Sequence, residues 1–259
     1  MSRARAESCG VAVFARAPVA GEAKTRLIPL LGAQGAAALH AALLRRALAV
    51  ASEARHRDPP VGEVTLHCAP DREHPFFELC RAEFGVGLRD QAAGDLGQRM
   101  LAAFIEAGAP LLLIGADCPA LTPELLRLCA ADLLGGRDAV FLPAEDGGYG
   151  LIGLSRHMPA LFADIPWGSE RVMEETRAKL RESGLSWSEP AMIWDVDRPA
   201  DVERIIESGV LPEWRGPPLS FPAEPRTRSE ARGRESIVCE RPLSDSLPSA
   251  SPPGPPRRE

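Results

Sequence analysis

The chain has 259 residues, 25% of them charged and only 5% aromatic, with a formal net charge of −6. That length suffices for one α/β domain with a large core, or for two small domains. The acidic balance argues against nucleic acid as the main partner, because a phosphate backbone calls for a basic footprint; a nucleotide needs only a few local cations and is not excluded.

Val11 opens a short apolar run, 11–15, that reads as the first strand; residues 1–9 read as a flexible N-terminus. A helical pattern follows over 33–54, then a strand at 64–69 and a helix at 75–83. Next come a strand at 86–88, a helix at 96–106, a strand at 111–115, a helix at 123–134 and a strand at 139–143. Strands alternating with helices mean βαβ units and a mostly parallel sheet. After Pro143 the rhythm changes. Residues 150–154 follow a Gly-rich turn and are expected to pair antiparallel, at or near a sheet edge. Ser169 caps a helix with Val172, Met173, Thr176 and Leu180 on one face. A strand at 191–194 leads into a last helix, 199–208, closed by Gly209. One domain is therefore expected over 10–215. Beyond it, 216–259 is rich in Pro, Ser and Arg, buries too little apolar surface to offset its ordering entropy, and is expected to be disordered.

No apolar run approaches the roughly 20 residues of a membrane helix, and 11–14 is too short for the core of a signal peptide. The six cysteines form no C-x-x-C pair and have no histidine at zinc spacing. Cys118 and Cys129 read as small core residues. A soluble, cytoplasmic protein without a membrane partner is expected.

Asp117 ends the apolar run 111–116, and the carboxyl ends of strands are where open α/β sheets bind ligands. It reads either as a metal-site or phosphate-site acid or as the cap of the next helix. Thr122 is the better cap, with Pro123 at the first helical position and Glu124 in the first turn. Directly after the first strand, Arg16, Lys24 and Arg26 fall within eleven residues, around Pro18 and Gly21. A loop in that position is a habitual phosphate site; its alternative is a solvated turn with surface cations. Lys24 suits phosphate as a point charge and Arg26 as a two-oxygen fork. The loop is neither a Walker A motif, since Glu22 and Ala23 separate Gly21 from Lys24, nor a dinucleotide fingerprint.

Other groups carry two readings each. Asp95 caps the 96–106 helix, with Gln98 completing a capping box, and that helix start also favours anions. Glu145-Asp146-Gly147-Gly148-Tyr149 is a hairpin turn, or a backbone approached closely by a ligand, where Asp146 orients an acceptor hydroxyl or acts as general base. Trp167 is a core or lid residue, or a stacking surface for a sugar or base. Asp195-Val196-Asp197 provides an Asx turn or cap, or joins Asp117 in an oxygen-rich site suited to Mg²⁺ or Mn²⁺.

Taken in order, Phe14-Ala15-Arg16-Ala17-Pro18-x-x-Gly21-x-x-Lys24-Thr25-Arg26-Leu27, Gly94-Asp95-Leu96-Gly97-Gln98-Arg99-Met100 and Ile114-Gly115-Ala116-Asp117-Cys118-Pro119-x-Leu121 carry a resemblance. So do Pro143-Ala144-Glu145-Asp146-Gly147-Gly148-Tyr149, Ile165-Pro166-Trp167-Gly168 and Asp195-Val196-Asp197-Arg198-Pro199-x-Asp201. Across 10–209 the chain resembles a bacterial glycosyltransferase family of GT-A fold associated with arsenosugar biosynthesis. More distantly it is similar to phospholactate and molybdenum-cofactor guanylyltransferases. Arg16 and Ala20 replace the Lys and Pro of the pattern, and Gly150 stands where a bulkier residue is common.

The resemblance implies an α/β, GT-A-like (nucleotide-diphospho-sugar transferase) three-layer fold, with a mostly parallel doubly wound sheet and an antiparallel strand. It implies nucleotide contacts from Arg16, Pro18, Gly21, Lys24, Thr25, Arg26, Gly94, Asp95 and Arg99, and acceptor contacts from Gly147, Gly148, Tyr149 and Trp167. Catalysis would fall to Lys24, Arg26, Asp117 and Asp146, with Mg²⁺ or Mn²⁺ on Asp117, Asp195 and Asp197. The expected activity is a metal-dependent transferase carrying a sugar from a nucleotide sugar to a small-molecule acceptor. The rivals are a nucleotidyltransferase using a nucleoside triphosphate and a non-catalytic nucleotide-binding module.

Overall fold

The computed structural model describes residues 7–55 and 61–214, all within one unit of the chain. Residues 1–6 and the tail 216–259, for which flexibility and disorder are expected, lie outside the described residues.

Among the described residues seven strands form one sheet: β1 (Cys9–Arg16), β2 (Val61–Ala69), β3 (Gly87–Asp90), β4 (Leu111–Gly115), β5 (Ala139–Pro143), β6 (Tyr149–Leu154) and β7 (Trp187–Ser188). Their order is β3-β2-β1-β4-β6-β5-β7. The first four are parallel; β6 runs antiparallel to both β4 and β5, and β7 is parallel to β5. This is the expected mostly parallel sheet with an antiparallel strand. Cys9 is fully buried in β1, which begins two residues before the expected 11.

Among the described residues six helices flank the sheet: α1 (Ile28–Ala54), α2 (Pro75–Phe84), α3 (Leu96–Ala107), α4 (Pro123–Leu134), α5 (Val172–Glu182) and α6 (Pro199–Ser208). Alternation along β1 assigns the layers. Val11, Val13 and Ala15 face α1, α2 and α4 in one core, while Ala12 and Phe14 face α3 and α5 in the other. A third cluster packs α6, through Val202 and Ile205, on the outer side of α1 at Leu39 and Leu43. Gly32, at φ 68° and ψ 166°, breaks α1 near its start, so the continuous helix begins near the expected 33. The stretch Thr25–Ala54 is long and apolar enough to cross a membrane by length and composition, contrary to the expectation that no run comes close. Much of it is core: fourteen residues of α1, from Ala36 to Ala54, are buried.

Two expectations are corrected. β6 is not at the edge but between β4 and β5, where a Cβ on Gly153 would come within 2.6 Å of both Leu112 and Val140 side-chain carbons. The expected strand at 191–194 is a single bridge, Ile193 to Ala144, and the edge strand is β7, paired at Ala139–Trp187 and Val140–Ser188. Pro190 between them has no N–H for the ladder. The chain takes one more residue than β5 over the same span, then rejoins through Ile193 N–H to the Pro143 carbonyl at 2.9 Å.

Candidate active site

The carboxyl ends of β1, β4 and β5 point the same way, and the loops that follow them meet. After β1, Gly21 takes φ +90°, a region open to glycine at no cost. The turn reverses through Ala23 N–H to the Val19 carbonyl, 3.0 Å, and buries Ala23. This delivers Lys24 in the left-handed region, φ 50° and ψ 46°, just ahead of a 3-10 turn at Thr25–Leu27.

Lys24 does not project into solvent. Its side chain is 7% exposed, with Nζ 2.8 Å from Asp117 Oδ2 and donating to the Val196 carbonyl at 2.6 Å. Val196 N–H in turn donates to the Asp117 carbonyl at 2.9 Å. The β1 loop, the end of β4 and the segment before α6 are thus tied at one point. Thr122 Oγ1 accepts from Leu125 N–H at 3.2 Å and caps α4, so Asp117 has no capping duty.

His40, from within α1, is a member of this site that composition did not reveal. It is 6% exposed. Its Nε2 lies 2.8 Å from the Arg16 carbonyl; a carbonyl only accepts, so Nε2 carries the hydrogen. Nδ1 then faces Asp117 Oδ1 at 3.6 Å, and both atoms are buried without a hydrogen-bond partner among the described residues. Burial alone would raise the Asp117 carboxyl, but the Lys24 ammonium and His40 outweigh it and hold it well below the usual carboxylate range. The one sign of His40 in the sequence is a lone polar residue inside an Ala/Leu helix.

The three expected metal acids separate. Asp195 sits among carboxylates: burial first, then Asp146 and Asp117, push its carboxyl up to about 6 against the pull of Lys24. Asp197 turns away and pairs with Arg26, the second loop cation. Its N–H is held by Asp201 Oδ2 at 2.9 Å, which bends the Asp-x-Asp stretch into the start of α6. Among the described residues no three His, Cys, Asp or Glu side chains converge as a ready-made metal site. Divalent-metal chemistry fits Asp117, with its orphaned Oδ1, and Asp195, raised by neighbouring acids. It does not fit Asp197 in this arrangement.

Among the residues expected to meet a nucleotide, Asp95 and Gln98 form the expected capping box, at 2.8 and 3.0 Å. Gly94 is at φ +111°, where a Cβ would meet Gln98 Oε1 at 2.1 Å. Arg99 Nη1 donates to Gln91 Oε1 at 3.0 Å, while Gln91 Nε2 donates to the carbonyls of His67, 2.9 Å, and Ala15, 3.3 Å. Gln91, unnoticed in the sequence, thereby braces the ends of β1 and β2 beside Arg99. Burial and then nearby Arg16 lower the Arg99 guanidinium, two cations sharing one face. Arg16 is exposed, Pro18 buried and Thr25 opens the 3-10 turn.

Among the residues expected to meet an acceptor, Asp146 Oδ1 accepts from Gly148 N–H at 2.9 Å, closing the turn between β5 and β6. Gly147 is approached closely, but by the protein: a Cβ there would lie 2.0 Å from the Glu170 carbonyl oxygen. Tyr149 packs edge-on against Phe141 and Trp167, and burial pushes its phenol up. Trp167 stacks on Phe162 and covers Gly97, where a Cβ would fall 2.5 Å from Nε1. It is half-buried core and wall together. Gly150 is buried, and a Cβ would press on Cys118 Sγ at 2.4 Å and Ile193 Cδ1 at 2.5 Å. Glu145 forks onto Arg204 of α6 at 2.8 and 3.0 Å, and Arg204 lies 4.3 Å over the Trp194 ring.

The architecture is that of nucleotide-sugar and nucleotidyl transferases of GT-A-like fold. A protein from Desulfovibrio desulfuricans G20, provisionally assigned as a nucleotide-diphospho-sugar transferase, is 26% identical with a TM-score of 0.64, over 80% of this chain and 97% of that one. A cytidylyltransferase from Leptospira borgpetersenii serovar Hardjo-bovis (strain JB197) is 16% identical with a TM-score of 0.50, over 80% and 97%. A CMP:2-keto-3-deoxy-manno-octonic acid synthetase solved with CTP is 14% identical with a TM-score of 0.50, over 78% and 98%. The chain belongs to the family described as "uncharacterized protein conserved in bacteria (DUF2064)", which matches residues 37–169. No curated protein matches it.

Proposed function

We propose that this protein is a metal-dependent glycosyltransferase that takes a sugar from a nucleotide-diphosphate donor to a small-molecule acceptor. The observation that carries this reading is the meeting of Lys24, Asp117, Asp195 and Asp146 at the carboxyl ends of β1, β4 and β5, where such sheets bind ligands. The likeness to the Desulfovibrio protein, itself assigned to nucleotide-diphospho-sugars, supports the donor class. The arsenosugar connection of the acceptor rests on the sequence resemblance.

Lys24 and Arg26 neutralise the diphosphate, and Arg99, Arg16 and the start of α3 line the nucleotide's side. Asp117 and Asp195 hold Mg²⁺ or Mn²⁺, which supplies charge stabilisation for the departing phosphate. Asp146, exposed and fixed by Gly148 N–H, orients the acceptor hydroxyl and takes its proton. Tyr149 and Trp167 wall the acceptor side with apolar surface.

Incubation with Mn²⁺, UDP- or GDP-sugars and candidate acceptors tests the reading through release of free nucleoside diphosphate. Pyrophosphate from nucleoside triphosphates would replace it with nucleotidyl transfer. Nucleotide binding that raises Tm with no turnover on any acceptor would leave a binding module.

A further inference from the structure

Both cations of the loop after β1 are already matched, and each is matched to an acid of the expected metal set: Lys24 to Asp117 and Arg26 to Asp197. We propose that ligands enter this site by exchange of ion-pair partners. The free protein neutralises itself, and a divalent cation and a nucleoside diphosphate bind well only together. The diphosphate takes the two cations as the metal takes the freed Asp117 carboxylate. This rests on the metal–nucleotide reading above and adds how that site is guarded when empty of either ligand.

The Lys24–Asp117 pair carries the argument, because its ammonium is 7% exposed. A divalent ion approaching Asp117 Oδ2 meets the Lys24 ammonium 2.8 Å away. A diphosphate approaching Lys24 finds its charge already matched and Nζ also donating to Val196 at 2.6 Å. Either ligand alone must part the pair and strand one partner as an uncompensated, partly buried charge, which is the costly way to break such a bridge. Arriving together, they leave none stranded. Lys24 is held at φ 50°, a conformation sparsely populated outside glycine and asparagine, so its backbone gains freedom when the clamp opens. The Arg26–Asp197 pair is exposed, 65% and 38%, and adds little on its own.

Coupling between two ligands is reciprocal, and typical values are roughly 5–150-fold. Mn²⁺ affinity is therefore expected to rise by roughly that factor in the presence of UDP, GDP or CDP, and nucleotide affinity by the same factor with Mn²⁺. The measurements are free-Mn²⁺ electron paramagnetic resonance and calorimetry, neither needing turnover. Metal bridging alone would also give synergy, so the deciding variant is Lys24→Met. With Asp117 released, Mn²⁺ alone is expected to bind roughly 5-fold tighter or more, while nucleotide alone gains nothing. Arg16→Gln, which removes a cation at the end of β1 that is matched to no acid of the metal set, is expected to leave Mn²⁺-alone affinity unchanged. Unchanged Mn²⁺-alone affinity in Lys24→Met, an equal gain in Arg16→Gln, or no synergy in the wild type overturns the exchange while the metal–nucleotide reading stands. No nucleotide binding with Mn²⁺ present overturns both. Should Lys24→Met fail to fold, Lys24→Gln keeps the neutral swap with a polar end, and the wild-type titrations decide independently.

Discussion

Replacing Asp195 with Asn is expected to stabilise the protein while weakening its hold on a divalent metal. The native Asp195 carboxyl is pushed up from the ordinary 3.8 to about 6, first by burial and then by Asp146 and Asp117. The folded state therefore keeps a proton that the unfolded chain gives up, and stability is lost as pH rises from about 4 to about 6 and stays lost above. Each unit of separation corresponds to about 1.4 kcal/mol, but Asp195 is only partly buried and solvent screening cuts the cost at pH 7 to on the order of 1–2 kcal/mol. Asn carries no such cost. At roughly 2–4 °C per kcal/mol for a domain of this size, Asp195→Asn should melt roughly 2–8 °C higher at pH 7. The difference should shrink toward nothing at pH 4. Melting curves of both proteins from pH 4 to pH 8 measure it directly. Equal Tm at pH 7, or a gain independent of pH, would refute the placement of Asp195 among repelling acids.

Asp117→Asn should act in the opposite sense. It leaves the buried Lys24 ammonium unmatched, and because the Asp117 side chain is 42% exposed the loss falls below that of a fully buried pair, about 2 kcal/mol by urea unfolding. Since the Asp117 carboxyl is held well below its ordinary range, that stabilisation is present above about pH 4 and is lost only in stronger acid. Gly147→Ala combines a φ of +89° with a Cβ 2.0 Å from the Glu170 carbonyl; a loss of about 2–5 kcal/mol in the same assay is expected, and a near-neutral result would contradict the packing of the 144–148 turn. The five described cysteines are all buried, with Cys9, Cys68, Cys80 and Cys129 pushed up to about 12, chiefly by burial. A thiol reagent at pH 8 should leave these five unmodified in the native protein and reach them only on unfolding.

The sheet was legible because its strands carry the right kind of pattern. Leu111–Gly115, a continuous apolar run between Pro110 and Pro119, and the apolar run Ala139–Pro143 both have the expected limits. Caps were legible in part: Thr122, Asp95 with Gln98, and Gly209 do what their residue types suggest, whereas the expected Ser169 cap falls short, because α5 starts from Arg171 and Ser169 Oγ accepts only from Arg171 N–H at 3.3 Å in the turn before it. What failed was long-range. Whether β6 is interior depends on what fits over Gly153, and the fate of 191–194 depends on Pro190 disturbing a ladder with β5. In the site, charges were visible but their partners were not. Lys24 and Arg26 looked like free phosphate cations, because nothing local reveals that Asp117 and Asp197, some ninety and 170 residues on, neutralise them. His40 and Gln91 were missed for a related reason: each acts through backbone carbonyls of distant strand ends, which leave no trace in residue identity.

The most direct test of the central claim is a crystal structure with Mn²⁺ and a nucleoside diphosphate, located by the anomalous signal of the metal. The account predicts the Mn²⁺ peak between Asp117 and Asp195, with the diphosphate against Lys24 and Arg26 and the Lys24–Asp117 bridge opened. A nucleotide bound away from the ends of β1 and β4, or Lys24 still on Asp117 with the nucleotide in place, would contradict it.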